Sequence, residues 1–243
     1  MPAIKTNKLT KKYGDNTAVN GISFEVREGE IFGLLGVNGA GKTTTIKMLC
    51  GLTKITGGDA EILGYNVKTD FSEIKKLINI SPQETAVAPN LTVKENLVLI
   101  ARLYGLSKSE AAEKSAKVIE AFSLDEVMNK KAKTLSGGWQ RRLSIAMALI
   151  TDPKIIFLDE PTLGLDVLAR RELWSIIKSL KGKVTVILTT HYLEEVEALS
   201  DRIAVMVKGN IKALGTADEL KKSTGKDNIE DAFIEIAQGG NSK

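Results

Sequence analysis

The chain is poor in the residues that build disulfides and soft metal sites. Among its 243 residues there is one cysteine, Cys50, and one histidine, His191. A single cysteine excludes an intramolecular disulfide and any cysteine-rich metal site. Long apolar runs are also missing. No stretch approaches the ~18 apolar residues that could span a bilayer, and no signal peptide is expected. The sequence therefore predicts a soluble protein that meets a membrane only through a partner. No internal repeat is visible. Aromatics are not interleaved with the basic residues: Lys5, Lys8, Lys11 and Lys12 near the start and Lys221-Lys222 near the end read as solvated lysines, and the net charge of +4 is spread along the chain. No nucleic-acid partner is expected on that pattern. What the chain does have is 43% hydrophobic residues, enough to bury one large domain or a domain with a subdomain.

One stretch organises the rest, Gly36-Val37-Asn38-Gly39-Ala40-Gly41-Lys42-Thr43-Thr44. Ile31–Leu35 before it reads as a buried strand and Thr45–Cys50 after it as a helix. That is the context and spacing of a phosphate loop. Its glycines let backbone N–H groups surround a polyphosphate, and the helix N-terminus adds partial positive charge. Gly36, Asn38, Gly39, Ala40, Gly41, Lys42, Thr43 and Thr44 are the expected nucleotide-binding residues. Lys42 is expected to reach the β- and γ-phosphates, and the Thr43 hydroxyl to ligate Mg²⁺.

Taken in order, residues 4–27 predict two antiparallel strands, Ile4 to Leu9 and Ala18 to Val26, with Ile22, Phe24 and Val26 on one face. Tyr13 ends the first strand; spacing alone leaves it either packing or platform. Residues 51–81 are turn-rich, with short strands of a small β-subdomain and a strand at Ile78–Ser81. Thr92 is placed as an N-cap with Glu95 three residues on, opening a helix whose apolar positions are Val93, Leu97, Ile100 and Tyr104. A second helix carries Ala112, Ala116, Ile119 and Phe122 on one face. Residues 84–134 thus read as an inserted helical subdomain, extending to about 150 through a helix with the stripe Leu143, Ala146, Met147 and Ile150. The continuously apolar Ile155–Leu158 predicts a parallel strand covered on both faces. A helix with Leu173, Ile177 and Leu180, a strand Val184 to Thr189 and another at Arg202 to Val207 follow. Residues 216–243 read as a short helical tail, with Gly239–Lys243 expected to fray. The fold class is α/β, a mainly parallel sheet with an antiparallel β-subdomain and a helical insert, in one cassette over residues 1–243.

In such sheets ligands lie beyond the carboxyl ends of the strands. Four ends carry polar residues: the loop from Gly36, Gln83, Asp159-Glu160 and His191. Asp159 suits a partner of Mg²⁺. Glu160 is placed as general base or orienter of the attacking water. His191 could hydrogen-bond the γ-phosphate and hold Glu160 in register, and Gln83 could carry an amide to Mg²⁺ or water.

At these residues the chain resembles ABC transporter ATP-binding subunits over essentially its whole length. Leu135-Ser136-Gly137-Gly138 matches that family's signature, Ile155–Glu160 its second nucleotide motif, and Gly164-Leu165-Asp166 its dimer-contact loop. His191 is similar to the switch histidine, Gln83 to the Q-loop glutamine and Tyr13 to the adenine-stacking aromatic. The resemblance implies an ATPase using ATP and Mg²⁺. It implies a head-to-tail dimer, homo- or heterodimeric, in which Ser136, Gly137 and Gly138 of one subunit cover nucleotide held by the other. It also implies integral-membrane permease subunits as partners, a place at the inner face of the cell membrane, and export as the direction. One departure stands out: Trp139 occupies the position that is often glutamine in the family. The rival reading, a non-transport member acting on DNA or ribosomes, lacks the long coiled coils or the second cassette it would need.

Overall fold

The computed structural model describes residues 1–239; residues 240–243 of the expected fraying tail lie outside the described residues. Two sheets organise the chain. The first is antiparallel and centred on β1 (Pro2–Tyr13), which pairs with β2 (Asn16–Ile22) and β3 (Glu25–Arg27) on one edge. On its other edge lies β5 (Gly57–Ile62), followed by β6 (Tyr65–Asn66). The first strand therefore runs four residues beyond the predicted Leu9. The second is interrupted where the Thr6 hydroxyl, rather than a carbonyl, accepts the Phe24 N–H at 2.9 Å. Ile22, Phe24 and Val26 are buried on one face as the alternation predicts.

The second sheet has the order β11-β10-β4-β9-β8-β7. Its strands are β4 (Ile31–Leu35), β7 (Ile78–Ser81), β8 (Ile155–Asp159), β9 (Thr185–Thr190), β10 (Arg202–Val207) and β11 (Asn210–Gly215). All neighbouring pairs are parallel except β10 with β11, an antiparallel edge that the sequence reading did not contain. Strict alternation splits the interior into two cores. Ile31, Leu35, Ile156, Leu158, Val186 and Leu188 face α5 (Gly137–Leu149), α6 (Val167–Ser179) and α7 (Leu193–Leu199). Phe32, Leu34, Ile155, Phe157 and Ile187 face α1 (Lys42–Leu49) and the antiparallel sheet. Every residue of β4, β8 and β9 is buried, which is why Ile31–Leu35 and Ile155–Leu158 read as apolar runs. At Gly33 a Cβ would lie 2.5 Å from Ser200 Oγ, so its absence lets the end of α7 press on β4.

Between β7 and α5 the chain is helical, with α3 (Val93–Leu103) and α4 (Lys108–Ala121). The Thr92–Glu95 capping box is formed. Two predicted faces need correction. Val93 and Leu97 of α3 are buried as expected, but Tyr104 is 52% exposed, and Asn96 and Ala101 complete the buried face. In α4 the buried stripe is Ala111, Ser115 and Ile119, while Ala112 and Ala116 face solvent. Alanine marks no face by itself, so with alanines at both 111 and 112 the apolar period could be set one residue off. Buried Asn96 fastens the start of the block: its amide donates to the carbonyls of Ala88 and Thr92, and its Oδ1 accepts from Ala88 N at 2.7 Å. A bridge between Thr92 and Lys131 closes the two ends.

Helix α2 (Phe71–Leu77) occupies part of the region read as turns, and α7 was not predicted. Helices α8 (Ala217–Thr224) and α9 (Ile229–Gln238) follow, with Gly225 closing the first in a left-handed conformation. Among the described residues no helix is long and apolar enough to cross a membrane.

Candidate functional site

The strand order β4-β9-β8-β7 lines up four carboxyl ends along one side of the sheet. The Gly36–Thr44 loop leaves β4, His191 follows β9, Glu160 follows β8, and Gln83 lies just beyond β7. They border a cavity of about 690 Å³ whose lining includes Tyr13, Asn38 to Thr44, Gln83, Glu160 and His191. The loop bends through Gly41 at φ +105°, where a Cβ would also meet Ala18 O at 2.5 Å. Only glycine meets both demands.

Lys42 is buried. Its Nζ donates to Gly36 O at 2.6 Å and lies 3.1 Å from Glu160 Oε1, both side chains being about 5% exposed. The other Glu160 oxygen, Oε2, meets His191 Nδ1 at 2.9 Å. In the neutral tautomer with its proton on Nδ1, the histidine donates to Glu160 and its Nε2 is then an acceptor. One neutral ring therefore cannot donate to both Glu160 and a phosphate oxygen. Asp159 lies one layer deeper, accepting at Oδ1 from Thr43 Oγ1 at 2.9 Å and from Thr189 Oγ1 at 2.6 Å.

No group of three His, Cys, Asp or Glu among the described residues forms a metal cage. The oxygen donors that meet beside the loop, Thr43 Oγ1 and Asp159 Oδ1, fit a hard divalent cation that takes its remaining ligands from phosphates and water, as Mg²⁺ does. Tyr13 is half exposed, with the Lys11 ammonium 4.7 Å from its ring centroid.

The signature residues lie apart. Ser136 and Gly137 are exposed, and Ser136, Gly137 and Gly138 are outside the cavity lining. Ser136 occupies the N-cap of α5, but its hydroxyl makes no capping bond. Trp139 packs against the interior, with the Arg142 guanidinium 4.5 Å above its ring.

Two residues without a local motif, Thr189 and Arg141, support the site, and a buried acid, Glu195, lies near it. Thr189 holds Asp159 and also accepts from Glu160 N at 3.0 Å. Arg141, 3% exposed on α5, donates to Pro82 O, Gln83 O and Glu160 O. Glu195 is fully buried in the first turn of α7 and accepts from Trp174 Nε1 at 3.2 Å. Burial pushes its carboxyl above the ordinary value of 4.5, against the pull of the Thr190 and Thr162 hydroxyls and the indole. Those two hydroxyls are near enough to favour the charged form, yet Glu195 Oε2 and Thr162 Oγ1 close no hydrogen bond. Charged residues inside a helical stretch that is otherwise apolar, such as Arg141-Arg142, were the available signal.

A family model described as ABC transporter matches residues 19–163. The daunorubicin/doxorubicin resistance ATP-binding protein DrrA of Streptomyces peucetius is 43% identical over 224 residues, covering 92% of this chain and 68% of that protein. A solved structure of an ATP-binding subunit of an ABC transporter superposes with a TM-score of 0.85 at 29% identity, covering 96% of this chain and 99% of the other. A second, the dimeric post-hydrolysis state of an ATP-binding cassette bound to ADP and phosphate, gives 0.79 at 26% identity over 88% of this chain and 98% of the other.

Proposed function

This chain belongs to the ABC transporter family of ATP-binding proteins, and on that premise we propose that it is the ATP-hydrolysing motor of a drug exporter whose membrane-spanning subunits are separate chains. The observation that carries the reading is the contact series Lys42–Glu160–His191 beside the phosphate loop. Phosphate oxygens compete with Glu160 for the Lys42 ammonium. Once released from it, Glu160 Oε1 accepts the proton of a water in line with the γ-phosphate. His191 stays on Oε2 and keeps the carboxylate in register. Tyr13 stacks on the adenine. Asn38, Gly39, Ala40, Gly41 and Thr44 present the loop's backbone to the phosphates.

Mg²⁺, held by Thr43, Asp159 and Gln83, would neutralise charge on the β- and γ-phosphates. We assign residues 1–243 to one cassette, with residues 84–134 as the helical insert, the helical subdomain running on to about 150, and residues 216–243 as its tail. The exposed Ser136 and Gly137, with Gly138 beside them, fit a role in the opposite subunit of a head-to-tail dimer, and the solved cassette noted above is a dimer. The permease holds that dimer at the inner face of the membrane. The drug class follows DrrA, a daunorubicin/doxorubicin resistance protein.

Glu160→Gln tests the reading. It keeps size and one hydrogen-bond acceptor but removes the base, so MgATP should still bind while hydrolysis falls by roughly 10²-fold or more. Unchanged hydrolysis in this variant would remove Glu160 from its role.

A further inference from the structure

Glu160 has an unusual backbone. Its φ is +49°, a left-handed conformation in a residue that is not glycine, and such strain persists only where the surroundings over-determine it. On its amino side the N–H donates to Thr189 O at 3.1 Å and to Thr189 Oγ1 at 3.0 Å. On its carbonyl side the anchor comes from α5, where Arg141 Nη2 donates to Glu160 O at 2.9 Å. The same guanidinium donates to Pro82 O at 2.5 Å through Nη1 and to Gln83 O at 2.7 Å through Nη2. One buried side chain thus ties α5 to the ends of two strands, β7 and β8. Burial lowers the pKa of this guanidinium, and the neighbouring Asp159, Glu195 and Glu160 carboxylates work against that shift.

We propose that Arg141 is a positioning residue for ATP hydrolysis in its own subunit, clamping the strained Glu160 main chain and the Pro82–Gln83 turn to α5 so that the aim of the carboxylate follows that helix. If the carbonyl-side bond is lost, Glu160 relaxes toward ordinary backbone angles and its carboxylate leaves Lys42 and His191. Lysine cannot replace the clamp, because a single ammonium on a flexible stem does not present a planar fork to three carbonyls. The helix carrying the signature turn on its exposed end would then act on the site of its own chain through its second turn. The proposal rests on Glu160 being the general base.

The experiment measures single-turnover hydrolysis and ATP affinity in Arg141→Lys, in Glu160→Gln and in the double variant. Arg141→Lys should hydrolyse at least about tenfold more slowly, since small misplacements of reacting groups cost that much or more. ATP affinity should stay within about threefold of wild type, because Lys42 and the loop are untouched; a general loss of structure would lower both. In the Glu160→Gln background the lysine should cause no further loss beyond about threefold, because residues acting through one group are not additive. Arg141→Gln, with amide donors and no charge, gives the same comparison should the lysine variant misfold. A wild-type rate in Arg141→Lys, or losses that multiply in the double variant, would overturn the proposal. A wild-type rate in Glu160→Gln alone would overturn the base assignment, and this proposal with it.

Discussion

Replacing Lys42 is the obvious way to abolish nucleotide binding, but the structure predicts that Lys42→Ala also damages the fold. The ammonium and the Glu160 carboxylate are 3.1 Å apart and about 5% exposed. Removing one partner of a buried pair leaves the other charge without compensation and costs roughly 3–5 kcal/mol. His191 still occupies Glu160 Oε2, which places the expected loss at the lower end, about 3 kcal/mol. The double variant Lys42→Ala/Glu160→Gln removes the stranded charge while keeping the shape of the second side chain. It should recover most of that loss, an interaction energy of about 2 kcal/mol or more. Urea unfolding at pH 7 without nucleotide, with slopes compared alongside midpoints, measures all four corners of the cycle. A loss below about 1 kcal/mol in Lys42→Ala, with the double variant additive, would show that the pair is not coupled as its burial requires. The cycle also separates two causes of inactivity, since a destabilised Lys42→Ala loses folded protein as well as phosphate contacts.

Two further outcomes are expected. Glu195 is held above 4.5 chiefly by burial, so the folded protein keeps its proton where the unfolded chain releases it; the stabilisation is complete below 4.5 and is lost as pH rises through the elevated folded value. Glu195→Gln does not titrate, so its stability relative to wild type should increase with pH above 4.5 in unfolding measurements, and a flat difference from pH 4 to 8 would contradict the burial argument. Trp139→Gln removes the packing of the ring and its contact with Arg142, so it should cost about 1 kcal/mol of stability and leave turnover within a few fold; a change in turnover beyond tenfold would mean that Trp139 meets nucleotide or a partner.

The sheet and the loop were legible because their signals are local. Ile155–Leu158 is apolar at every position because both faces are covered, and the loop's spacing carries its own geometry. Asp159, Glu160, His191 and Gln83 could be found as polar residues ending apolar strands. The misplacements lie where the signal is weak or long-range. In α4 the adjacent alanines could not choose between two faces one residue apart, and β11 is an edge strand with only Gly215 buried. The support of the site was the least legible part. Nothing local says that Arg141 reaches Pro82, Gln83 and Glu160 across 59, 58 and 19 residues, or that Thr189 joins Asp159 to Glu160.

The strain at Glu160 follows from what the Asp-Glu pair has to do. In an extended strand successive side chains point to opposite faces, so two adjacent carboxylates continuing β8 would diverge. Here Asp159 meets Thr43 and Glu160 meets Lys42, two adjacent residues of one loop. The chain must therefore leave extended geometry between the two acids, and the left-handed conformation of Glu160 makes that turn. Glycine would adopt it without strain, but glycine has no carboxylate. The anchors at Thr189 and Arg141 are the structural consequence: each side of the strained residue is fixed by a buried donor or acceptor from a different element, one from the neighbouring strand and one from α5. Of the two, only Arg141 stands on a helix rather than in the sheet. The strand-side anchor is thus as rigid as the β-ladder, while the helix-side anchor is where a displacement of α5 can change the aim of Glu160.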